Sequence, residues 1–117
     1  MNEPIWLTVE IVIAIHGEQL RRYGGADGIR DIGMLESAIG RPQNKWAYEA
    51  ADLADLAAAV AFGLAKNHPF VDGNKRTALL GLVTFLGLNG VSFIVPEAEA
   101  VVAIMDLAAG LLSEEAI

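Results

Sequence analysis

The stretch NKRTALLGLVTFLGL, residues 74–88, constrains the fold more than any other part of the chain. Past Lys75 and Arg76 it is apolar on nearly every side, and a helix without a polar face has to be surrounded by other elements. The expectation is therefore a helical bundle with this segment in its middle. The flanking sequence supplies the surround. In ADLADLAAAVAFGLAKN, residues 51–67, the side chains Leu53, Leu56, Val60 and Leu64 make an apolar stripe and alanine fills the rest. Residues 8–22 place Val9, Val12, Ile13, Ile15 and Leu20 at mostly helical spacing, with Thr8 as N-cap. Asp31 is suited to cap a short second helix that reaches Ile39 and closes at Gly40, ahead of Arg41 and Pro42. A polar loop carrying Trp46 and Tyr48 then leads to the third helix. Pro69 turns His68 towards an extended backbone and stops that helix near Asn67. Asn89 and Gly90 end the fourth, VSFIV at 91–95 reads as a strand or an extended connector, and Pro96 opens a last helix over 97–112.

The chain has 117 residues, with no internal repeat or linker, so a single all-α domain spanning 1–117 is expected. It has no cysteine, which excludes disulfides, thiolate zinc sites and cysteine nucleophiles and fits a reducing, cytoplasmic setting. A net charge of −7 speaks against general affinity for nucleic acid, since phosphate backbones are bound through basic faces. The N-terminus opens with an acid where a signal peptide carries bases. No uncharged apolar run approaches the roughly 18 residues of a membrane span, so neither a targeting segment nor a membrane contact is expected. The apolar share of 54% implies a dense core or an apolar groove left for a partner.

Against this acidic background, Lys66, Lys75 and Arg76 gather three of the eight cations into eleven residues, beside His68, Asp72 and Asn74. A cation in the first turn of a helix opposes the macrodipole and costs roughly 0.3 to 1 kcal/mol. That cost reverses when an anion settles on the free backbone N–H groups there. Gly73 clears the approach to the backbone, Asp72 is a carboxylate suited to Mg²⁺ bridging phosphate oxygens, and His68 is the nearby titratable base. The plainer readings are an N-cap for Asp72 or Asn74, solvated and paired cations, and a structural histidine. Taken jointly, nine consecutive positions of this kind favour a phosphate site. No P-loop and no kinase H-R-D or D-F-G set occurs in the chain. His16, Trp6, Trp46 and Tyr48 read as packing residues.

The run from His68 through Pro69, Phe70, Val71, Asp72, Gly73, Asn74 and Lys75 to Arg76 resembles the signature of the Fic/Doc family, and within it the death-on-curing (Doc) toxin branch. Fic AMP-transferases read H-P-F-x-x-G-N-G-R-x-x-R. Here Lys75 replaces the second glycine, as in Doc, and Leu79 stands at the second arginine. RYGG, G-x-R-D-x-G-x-L-E-S-A and the run Gly40, Arg41, Pro42 extend the likeness over most of the chain.

The resemblance implies an all-α Fic/Doc-type bundle of about six helices, with a short flap between the first two. It implies a toxin of a type II toxin-antitoxin system that acts as a protein kinase. Such a kinase moves the terminal phosphate of ATP, with Mg²⁺, to a hydroxyl on an elongation factor Tu-like translation factor and so inhibits translation. Carried over, His68 is the general base, Asp72 the metal ligand, and Gly73, Asn74, Lys75 and Arg76 hold nucleotide phosphate, with Lys66 as a further contact. Tyr23, Gly24 and Gly25 belong to the flap, whose backbone docks the target as an added strand; read from composition alone the same glycines are a helix terminator and turn. The inhibitory [ST]-x-x-x-E-[GN] pattern of many Fic proteins is absent. Restraint then falls to a cognate antitoxin whose terminal segment occupies an apolar groove. The alternatives are nucleotidyl transfer of the Fic kind and a catalytically silent binding module.

Overall fold

Thr8 accepts the Ile11 N–H on its side-chain oxygen and starts α1, Val9–Tyr23, which stops at Gly24 in a positive-φ conformation. Three more helices follow in this computed structural model, which describes residues 2–91: α2 Ile32–Tyr48, α3 Leu53–Asn67 and α4 Asn74–Leu88. The described residues contain no strand, only an isolated antiparallel bridge between Ile29 and Phe70. The connector beyond residue 91 and the helix expected over 97–112 lie outside the described residues, and with them any helix count above four. No helix among the described residues is long and apolar enough to cross a membrane.

The second helix is longer than its sequence implies. Instead of closing at Gly40 it continues to Tyr48, with Pro42 inside it, so the polar loop expected to carry Trp46 and Tyr48 is helical. A mid-helix proline deprives the carbonyl four residues earlier, here that of Ala38, of its partner. The loss falls where α3 comes closest: a Cβ built on Gly63 would lie 3.1 Å from the Ala38 Cα and 3.2 Å from its carbonyl oxygen. Pro42 is buried in the same seam and its ring contributes packing. Trp46 packs against the core, but Tyr48 is 86% exposed and is no packing residue.

The expectation that the fourth helix is the most enclosed also changes. Nine residues of α3 are buried against six of α4. The alanines of α3 let α2 and α4 approach its backbone closely, and at Gly81 of α4 a Cβ would meet Leu64 at 2.9 Å. The core joins Leu7, Val12, Leu35, Leu56, Leu64, Phe70 and Phe85, with Trp6 stacked on Phe85 at 5.9 Å between centroids. Asn89 closes α4 by bonding the Ile5 N–H and carbonyl, at 2.8 and 2.9 Å, and the Phe85 carbonyl. Both ends of α4 are thus defined, which fixes the position of the loop before it.

Candidate active site

The loop between α3 and α4 is held along nearly its whole length. His68 ends α3 in the left-handed region, φ 47° and ψ 56°, rather than extended as Pro69 led one to expect. A left-handed residue also terminates a right-handed helix, and histidine is among the side chains that visit this region. Arg30 donates Nη2–H to the Asn67 carbonyl at 2.9 Å and Nε–H to the His68 carbonyl at 2.7 Å. The Pro69 carbonyl accepts the backbone N–H groups of Arg30 and Asp31, and Val71 N–H donates to the Gly28 carbonyl. Asn74 turns its amide back to bond both the N–H and the carbonyl of Phe70, each at 2.9 Å. Beneath the loop the buried His16 ring stacks on Phe70, with centroids 3.8 Å apart, and donates its Nε2–H to the Asp72 carbonyl at 2.8 Å.

Asp72 accepts the Gly73 N–H on Oδ1 and the Ala26 N–H on Oδ2, at 2.8 and 3.2 Å. Its carboxylate lies so close to the flap that a Cβ on Gly25 would come within 2.7 Å of Oδ2. Gly73 is the N-cap of α4 at φ 76°, and a Cβ there would fall 2.0 Å from the Gln19 amide nitrogen. Any other residue at 73 would be strained by its backbone and would collide with Gln19. Gly73 offers no side-chain cap, the first turn of α4 holds no acid, and no described side chain accepts from the N–H groups of Asn74, Lys75 or Arg76. Open donors and a positive dipole end are what an anion site is built from, and Lys75 and Arg76 lie in the same turn.

The candidates read from sequence come together here in unequal roles. His68, Asp72, Lys75 and Arg76 are exposed, and the His68 ring makes no hydrogen bond with any described residue. Among the described residues Lys75 has no ion-pair partner, while the Arg76 guanidinium lies 4.2 Å above the Tyr23 ring. The cap of α4 is neither Asp72 nor Asn74. The Asn74 side chain is committed to Phe70, which leaves its backbone N–H as what it can offer an anion. Lys66 is exposed in the last turn of α3. In the flap, Gly24 N–H bonds the Leu20 carbonyl, and Gly25 gives room to Asp72. The flap edge that carries Gly28 O and Arg30 N–H is paired with the loop, so the N–H and carbonyl of Ile29 point to the other side.

Three contributors went unread in the sequence: His16 and Gln19 under the loop, and Arg30 beside it. His16 reads from sequence as packing, yet it also holds the Asp72 carbonyl. The signal lies in α1, where the buried positions Val12, His16 and Gln19 put two polar side chains on an otherwise apolar stripe. Gln19 is 1% exposed, and neither of its amide atoms has a hydrogen-bond partner among the described residues.

A helical scaffold that brings a loop of this composition onto an uncapped helix start defines a known class: the chain belongs to the Fic/DOC family, whose sequence model matches residues 6–86. Among named relatives, protein kinase doc of Escherichia phage P1 is 43% identical over 86 residues, covering 73% of this chain and 68% of that protein. Toxin Doc of Mycolicibacterium smegmatis is 48% identical over 71 residues, covering 59% of this chain and 55% of its own length.

Proposed function

We propose that this chain is a Doc-type toxin that acts as a protein kinase, transferring the terminal phosphate of ATP to a hydroxyl of a translation factor of the elongation factor Tu type. The carrying observation is the start of α4, where three uncapped N–H groups meet Lys75 at the place of the second Fic glycine. The names of the relatives point the same way. In this reading the γ-phosphate lies against the N–H groups of residues 74–76, with Lys75 and Arg76 countering its charge. His68 accepts the proton of the target hydroxyl. The hydroxyl oxygen bonds to the γ-phosphorus as the bond from that phosphorus to the β,γ-bridging oxygen breaks, and ADP leaves with the electron pair.

Asp72 fits a Mg²⁺ ligand of the one-carboxylate kind. Among the described residues no cluster of three or more His, Asp or Glu could hold an ion alone, so the remaining ligands would be phosphate oxygens and water. Bound there, the ion would neutralise charge on the phosphates. The target would dock on the free edge of the flap at Ile29, and the antitoxin on apolar surface such as Ile13, Val83 and Leu88. A cysteine-free chain suits work in the cytoplasm.

Incubation with γ-labelled ATP and a cell extract should label one protein, and His68→Ala should lower the rate by about 100-fold or more. Label passed only from α-labelled ATP would replace this reading with nucleotidyl transfer. Toxicity on expression that survives both His68→Ala and Asp72→Asn would leave a binding module without catalysis.

A further inference from the structure

We propose that Arg30 is a positioning residue that sets the backbone of His68 and ties the flap to it as one unit. His68 is the only non-glycine residue with positive φ among the described residues, and a left-handed conformation costs an L-residue roughly 1 to 2 kcal/mol. A helix that ends this way ordinarily recovers its last carbonyls through backbone N–H groups just beyond the turn. Here the next residue is Pro69, which has no N–H. Arg30, joined at the Pro69 carbonyl by the Asp31 N–H, supplies donors across the bend instead. Arg30 donates from Nη2 to Asn67 O, from Nε to His68 O and from its backbone nitrogen to Pro69 O, at 2.9, 2.7 and 2.8 Å. Three consecutive carbonyls on either side of the bend are thereby held by a single side chain and its own amide.

The guanidinium is suited to this by its fork. Two N–H groups in one plane can grip two successive carbonyls, and the positive charge lies at the negative end of α3. A lysine could supply the charge but not the paired geometry. The coupling has a second side, because Arg30 follows Ile29, whose free N–H and carbonyl face away from the loop. Resting on the kinase reading, a target strand laid along Ile29 is placed relative to the His68 base through Arg30, so register on the flap becomes register at the reacting hydroxyl. Misplacement of such a group by about 1 Å costs on the order of 100-fold in rate.

The test has two arms that fail separately. In isotope-labelled protein without nucleotide, the backbone carbon shifts of His68 report its left-handed conformation. Arg30→Ala and Arg30→Lys should both lose that signature while the shifts of α1 and the far half of α4 stay in place. In the transfer assay both variants should lower kcat by about 100-fold with KM for ATP changed less than about twofold, since the N–H groups and cations of α4 are untouched. Retention of the His68 signature in Arg30→Ala overturns the proposal, and so does full kcat in Arg30→Lys, which would reduce Arg30 to a point charge. Should Arg30→Ala fail to fold, Arg30→Gln carries the same comparison. A wild type that transfers no phosphate would defeat the kinase reading, yet the shift measurement would still decide the role of Arg30.

Discussion

α3 and α4 have the same length, fifteen residues each, and pack against one another, but they begin in opposite ways. At the start of α3, Asp52 accepts the Asp55 N–H while the Asp55 carboxylate accepts the Asp52 N–H, at 2.8 and 3.1 Å, and two acids face the positive end of the dipole. α4 starts on a glycine, without a side-chain cap and without an acid, and then carries Lys75 and Arg76. One terminus is closed by its own chain. The other leaves its donors open and adds cations that oppose the dipole, a cost that the proposed nucleotide phosphate would reverse.

The difference can be broken at its most constrained point first. Gly73→Ala puts a methyl group into the Gln19 amide and forces a side chain at positive φ. Chemical denaturation should show a loss of about 2 to 4 kcal/mol, accompanied by loss of nucleotide binding. Next in size is the response to ligand: Mg-ATP at a hundred times its Kd should raise the unfolding free energy by about 2.7 kcal/mol, less at high salt. Asp52→Ala, at the closed terminus, should cost about 1 kcal/mol and leave nucleotide affinity where it was. Smallest is the inverse effect at the open terminus. Lys75→Ala should make the empty protein more stable by roughly 0.3 to 1 kcal/mol while weakening its hold on ATP. Equal losses of stability at positions 52 and 75 would erase the contrast.

Much of this contrast was legible in the residues. Thr8, Asp31 and Asn89 act as the terminators that their types imply, and the start of α4 at residue 74 follows from Pro69 and the apolar run after Arg76. What escaped reading depends on contacts distant in sequence. Gly40, with Pro42 just beyond it, reads as the close of α2, because nothing local reveals that the carbonyl Pro42 orphans faces Gly63 of another helix. The left-handed His68 could not be foreseen from Pro69, since its carbonyl is held by a guanidinium 38 residues earlier. In the same way Asn74 has the composition of a ligand contact, and only the fold shows its amide folded back on Phe70. The chemistry of the loop was written locally; its stiffness comes from α1 and the flap.

Calorimetric titration of Mg-ATP into wild type, Asp52→Ala and Lys75→Glu tests the division of labour most directly. Wild type and Asp52→Ala should bind with the same affinity. Lys75→Glu should bind at least about tenfold more weakly, although an acid in that first turn makes the empty protein more stable. Undiminished binding by Lys75→Glu would contradict the assignment of the α4 terminus as the nucleotide phosphate site.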